Sequence, residues 1–230
     1  MDVLDRVAGP GRDLLSRVDT VLSAGGAPAD HPVWPLLRRV GALPGDVLDA
    51  FCALAPERVV AAGAAVRGRA EAYVEERADL GAAVAATTWE GDAAAAFGQR
   101  WAALGGHLGG EVAADAPGLA GRLAATASYL DDVAGWMRSA RRDLAHEVAT
   151  ALGSMEAVRV LTPSPGGPDQ PGRAGPAAAT IGAVVLAVAD RQAGAAEEVL
   201  ERWAGRLTDL PFRPATDPIG RTGTATRAAV

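Results

Sequence analysis

Lysine and asparagine do not occur in this chain, and cysteine occurs once. Without lysine there is no amine for a Schiff base or for the phosphate loop of a nucleotide-binding site. All 22 cationic side chains are therefore arginine, a bias that fits a GC-rich, actinobacterial-like genome and carries no functional message of its own. The single Cys52 excludes an intrachain disulfide, and its neighbours Phe51, Ala53 and Leu54 mark it as a small buried hydrophobe rather than an activated nucleophile. Aromatic residues supply only 4% of the sequence, so the 49% apolar share rests on alanine and aliphatic side chains, which suit helices packed closely against each other.

Long apolar runs are also missing. The best one, Ala177 to Ala189, stops at Asp190-Arg191, short of the roughly 20 residues that cross a bilayer, and reads as a core helix. The amino terminus, Met-Asp-Val-Leu-Asp-Arg, has early acids and no uninterrupted apolar stretch, so no cleavable secretory signal is expected there. Positive charge is short as well. A net charge of −6 and a pI near 5.1 leave no basic stripe to release counterions from a phosphate backbone, which argues against nucleic acid as a partner.

What the chain does contain is helical periodicity. Leu14, Leu15, Val18, Val21 and Leu22 predict a short amino-terminal helix, its beginning interrupted by Gly9-Pro10-Gly11, and a proline-rich loop carrying His31 completes residues 1–43. A short apolar segment, Val47 to Leu54, follows. From Pro56 onward Val59, Gly63, Val66, Ala70, Tyr73, Arg77, Leu80 and Val84 alternate spacings of four and three, a sustained heptad seam. After Gly91, Asp92 is expected to cap a second arm whose face runs Phe97, Trp101, Leu104, Leu108 and Val112. That face resumes at Leu119, Leu123, Leu130, Val133, Met137 and Leu144, with a kink or break at Pro117. Residues 161–176 read as a flexible Pro/Gly linker. Residues 177–210 read as an amphipathic helix with Ile181, Val184, Val188, Ala195, Val199, Trp203 and Leu207 inward, and 211–230 as a disordered tail.

The two arms meet at Trp89-Glu90-Gly91. Glycine at 91 reverses the chain through a positive φ at little cost, and the Trp89 ring is expected to lie across the groove between the arms, with Phe97 and Trp101 filling the space below. Trp89-Glu90-Gly91-Asp92-Ala93-Ala94, followed by Phe97, resembles the WXG family of type VII secretion substrates over roughly 44–150. The resemblance implies an antiparallel helical hairpin, pairing into homo- or heterodimeric four-helix bundles, and folded export by an ATPase-driven machine. It carries Trp89 and Gly91 over as the hairpin-turn motif. The family's export signal, a tyrosine with an acid four positions later, has no counterpart, since Arg77 follows Tyr73 and Val133 follows Tyr129 at that distance. The flanking helices, absent from short members, would cover the seam in cis unless a second chain does.

Catalytic and metal chemistry find little support. His31, His107 and His146 are scattered, and His146-Glu147 lacks the second histidine of a zinc helix. Glu71, Glu75 and Asp79 share a helix face and Asp131-Asp132 lie together, both patterns of a solvated acidic face. Arg138, Arg141 and Arg142 form the densest basic group, read as solvated surface or as a contact for an acidic partner. Trp136 reads as a core or interface anchor.

The expectation is an all-α protein, a WXG-like hairpin over 44–160 extended by flanking helices into a bundle. It is expected to have no enzymatic activity, cofactor, metal or membrane span. The site is the hairpin-turn and packing motif Trp89, Gly91, Asp92, Phe97 and Trp101. The partners implied are a helical protein or a second copy and the type VII machinery, with secretion or cell-envelope association after a cytoplasmic stage. A cytosolic helical scaffold or regulatory domain is the alternative.

Overall fold

The computed structural model describes residues 2–162 and 174–207. Among them there are eight α-helices and no strand: α1 (Val3–Ser23), α2 (Val33–Val40), α3 (Pro44–Ala53), α4 (Pro56–Ala85), α5 (Asp92–Leu108), α6 (Gly118–Leu152), α7 (Met155–Leu161) and α8 (Ala174–Ala204). The chain is all-α, as its periodicity predicts. Residues 163–173 of the expected linker and the whole expected tail, 211–230, lie outside the described residues. Among the described residues two compact units emerge, one of 2–61 with 130–203 and one of 62–129 with 204–207. The segment 44–160, read from sequence as a single hairpin, is divided between them.

In the first unit α1 opens with a reciprocal cap: Asp2 accepts the Asp5 amide at 3.0 Å and Asp5 accepts the Asp2 amide at 2.9 Å. The expected interruption at Gly9-Pro10-Gly11 is wrong, because α1 runs through Pro10 unbroken. Proline in a helix interior costs roughly 3 kcal/mol, and packing offsets it here. A Cβ on Gly11 would stand 2.9 Å from Val148 Cγ1 and 3.3 Å from Leu48 Cδ2, so the glycine marks where α1 crosses α6 and α3 rather than where it stops. The proline-rich loop also contains a helix that the sequence did not announce, α2. Prolines at 32 and 35 fall at its N-cap and in its first turn, where the missing amide hydrogen has no intrahelical acceptor anyway.

The core of this unit joins Leu4, Leu14, Leu15, Val18 and Leu22 of α1 to Val47 and Leu48 of α3, Leu144 and Val148 of α6, and Ile181, Val185, Leu186 and Val188 of α8. The first half of α8 is the core helix expected from Ala177 to Ala189. The whole of α8 is long and apolar enough to cross a membrane by length and composition alone, and 56% of its most apolar stretch is buried within the fold. Its inward face is centred slightly off the expected one: Val185 and Leu186 are buried and Val184 is 38% exposed. The helix begins at Ala174, before the expected 177, because Pro176 sits in its first turn and does not break it. Gly182 sets its distance from the neighbouring helices, since a Cβ there would lie 2.9 Å from Leu22 Cδ1 and 3.3 Å from Pro44 Cγ.

Along α6 the alanines at 120, 124, 127, 134 and 140 are buried, whereas Leu119, Leu123, Leu130, Val133 and Met137 of the expected face are half-buried and only Leu144 of that face is fully buried. Small side chains let a helix approach its neighbours closely. Indoles tie α6 to α8: Trp136 Nε1 donates to the Gln192 carbonyl at 2.9 Å and Trp203 Nε1 to Asp132 at 2.8 Å. Trp136 is thus an internal anchor. Arg202 of α8 also reaches Asp132 of α6, at 3.0 Å.

In the second unit the break expected at Pro117 is wide, with α5 ending at Leu108 and α6 starting at Gly118. The second arm is therefore the 17 residues of α5.

Candidate interaction surface

The helix α4 ends at Ala85, where Thr87 folds back on it: the Thr87 hydroxyl donates to the Ala83 carbonyl at 3.1 Å. The chain then passes through Trp89 to Gly91, which has φ 94° and ψ −177° and is the N-cap of α5. The positive φ expected of Gly91 is present, and it is a conformation side-chain-bearing residues rarely adopt. Asp92 departs from its expected role. It is the first helical residue rather than the cap, placing a carboxylate at the positive end of the α5 dipole without a capping hydrogen bond.

Helices α4 and α5 touch at positions equidistant from this turn. A Cβ on Gly81 would lie 3.9 Å from Trp101 Cζ2, and one on Gly105 would lie 3.4 Å from the Arg77 guanidinium. Trp89 does not lie across the groove as expected. Its ring is 53% exposed and packs on Phe97, with centroids 5.8 Å apart and planes tilted by 46°.

The seam between the arms is thinly covered. The only residue of α5 that is buried is Gly105, and those of α4 are Gly63 and Ala70. Large apolar positions of the two predicted faces stay open to solvent: Leu80 is 55% exposed, Phe97 41% and Leu104 38%. Arg77 occupies a seam position with its Nε buried and without a hydrogen-bond partner. Trp89 and Phe97 meet at the turn, both exposed rather than inside, while Trp101 faces Gly81 further along α4.

Within the basic group at 138–142, read from sequence as solvated surface or as a contact for an acidic partner, Arg141 is the residue whose role sequence reasoning missed. Arg138 and Arg142 are exposed, but the side chain of Arg141 is only 7% exposed and is saturated with acceptors. Its Nε donates to Asp2 at 2.6 Å, and its Nη2 donates to Asp2 at 3.0 Å and to Asp5 at 2.7 Å. Its Nη1 donates to the carbonyls of Phe51 and Cys52, both at 2.9 Å, and of Leu54 at 3.3 Å. One guanidinium thus closes the negative end of α3 and offsets part of the charge of the acidic cap of α1. The Arg141 hydrogen bond holds the Asp2 carboxyl down to about 2, against the opposing effect of burial. A heptad reading finds the signal only afterwards: Arg141 continues the α6 stripe through Ala127, Ala134 and Val148.

Elsewhere, Asp19 of α1 accepts the Gly45 amide at 3.1 Å and so caps α3, whose own N-cap Leu43 has no acceptor side chain. Burial raises its pKa to about 6, opposed by the Gly45 hydrogen bond and helped by nearby Asp46. Burial likewise raises the Cys52 thiol, which makes it a poorer nucleophile at neutral pH. His31 Nδ1 accepts the Val33 amide at 3.2 Å at the start of α2. Glu71, Glu75 and Asp79 are exposed along α4. Among the described residues no group of three or more histidine, cysteine or carboxylate side chains is placed to hold a metal ion.

No protein-family model, curated protein or solved structure matches the chain.

Proposed function

We propose that this chain is a non-enzymatic interaction protein that works through helix–helix contacts, as a type VII secretion substrate or secretion partner. Its surface would be the apolar end of α4 and α5. The observation that carries the reading is the open seam: Leu80, Trp89, Phe97 and Leu104 are large apolar side chains on or beside heptad faces, each between 38% and 55% exposed. Fully burying such a side chain contributes about 1.5–3 kcal/mol, so covering the exposed halves of these residues is worth roughly 1 kcal/mol each. A helical protein partner or a second copy of this chain would supply the cover. The turn at Trp89-Glu90-Gly91, with its positive φ at Gly91, supports the WXG resemblance, and the missing tyrosine signal makes a signal-bearing companion part of the proposal. Before export the protein would be cytoplasmic, and afterwards secreted or envelope-associated.

Comparing the culture filtrate of a native host with that of a strain lacking the secretion ATPase tests this. The chain or its captured companion should leave the first cells and stay in the second. Equal retention in both strains favours the second reading, a cytosolic helical scaffold or regulatory domain. That reading draws support from the first unit, which covers its own core with α1 and α8 and needs no second chain to do so.

A further inference from the structure

The first unit carries a cleft of its own. The start of α1, the corner between α3 and α4, and α6 enclose an open cleft of about 590 Å³. Its apolar wall includes Leu54, Pro56 and Val3, the last 48% exposed although it begins a helix that is otherwise anchored in the core. Its charged lining is uneven. Asp2 and Asp5 share the single charge of Arg141, and Glu57 pairs with Arg138 at 2.9 Å, so the arginines of the lining still outnumber its carboxylates. Arg58 and Arg142 line the same cleft, and among the described residues neither has a hydrogen-bond or ion-pair partner. On a chain of net charge −6, an apolar cleft that keeps two uncommitted guanidiniums runs against the average surface. Arg58 also stands in the first turn of α4, where the helix dipole adds to its positive potential.

We propose that this cleft binds an acidic stretch of a partner polypeptide, with an aliphatic residue against Val3, Leu54 and Pro56 and carboxylates on Arg58 and Arg142. Guanidinium is suited to that ligand because its planar fork matches a carboxylate with two parallel hydrogen bonds. The walls are apolar enough to favour a peptide over a free small anion, which would leave them wet. The inference does not depend on the secretion reading, since it concerns residues of the first unit only and holds for a scaffold equally.

The test is fluorescence anisotropy with the full chain, untagged at its amino terminus, and a labelled peptide Gly-Leu-Glu-Glu-Leu-Glu-Gly beside its glutamine counterpart. The acidic peptide should bind more tightly and weaken as salt is added. The double variant R58Q/R142Q should lower its affinity about tenfold, or ~1.4 kcal/mol, with an unchanged circular dichroism melt because both side chains are on the surface. Glu57→Gln should do the opposite, freeing Arg138 and tightening binding. Equal binding of the two peptides, or an R58Q/R142Q chain that binds like the native one, overturns the proposal. So does a native chain that pellets with phosphatidylserine vesicles and ignores the peptide, which would assign the cleft to a lipid surface.

Discussion

Replacing Arg141 with methionine removes a buried side chain that joins α1, α3 and α6 electrostatically. Breaking a buried ion pair by deleting one partner typically costs about 3–5 kcal/mol. Here Asp2 and Asp5 keep 47% and 38% of their side-chain exposure and regain water once released, which lowers the expected cost. The carbonyls of Phe51, Cys52 and Leu54 lose their donor at the same time. A net loss of about 2–3 kcal/mol follows, with a melting temperature lower by roughly 5–10 °C for a chain of this size. The pH dependence is more diagnostic. The folded pKa of Asp2 is depressed from 3.8 to about 2, so its contribution is present above pH 3.8 and is lost as pH falls towards 2. Urea unfolding of native and Arg141→Met chains at a series of pH values should give a gap that is full at neutral pH and narrows below pH 3.8. A cost under about 1 kcal/mol, or a gap that stays constant down to pH 2, refutes the claim that Arg141 holds these helices together.

Asp19 has the opposite sign. Its folded pKa is raised to about 6, so the fold favours its neutral form and loses stability as pH rises from 3.8 through 6. Asp19→Asn keeps the acceptor for the Gly45 amide and should stabilise the chain at pH 7 by roughly 1 kcal/mol after allowance for solvent screening, with no gain below pH 3.8; thermal melts at both pH values check it. Gly182→Val, forcing α8 away from Leu22 and Pro44, should cost about 1–3 kcal/mol in urea unfolding, while the same change at Gly194, which has open space around it, should be neutral or slightly stabilising because valine is the better helix former. Phe97→Gln should leave stability within about 0.5 kcal/mol, because a 41% exposed ring contributes little to the core; a larger loss would mean that the seam is closed rather than open.

Local sequence signals went a long way towards the fold. The heptad on α4 and the apolar run in α8 announce helices because their spacing is local, and Gly91 announces a reversal because few other residues take its φ. Where the reading failed, the deciding contacts were remote. Gly9-Pro10-Gly11 looks like a breaker until Val148 and Leu48 are brought against Gly11. Arg141 looks like surface until Asp2 and Asp5, far away in sequence, fold onto it. Trp89 looks like a staple, and only the geometry of the turn shows it turned out onto Phe97. For the same reason the alanine stripe of α6 is hidden from hydropathy, which ranks leucine above the residue that permits the closest approach.

The most direct measurement of the central claim is capture from the native host with the full chain as bait, beside a Leu80→Gln, Phe97→Gln double variant that keeps its melting temperature. The account predicts that the native bait retains a helical partner, a second copy of itself or a component of the secretion machine, and that the variant loses it. Recovery of none of these, or equal recovery by the two baits, would contradict it.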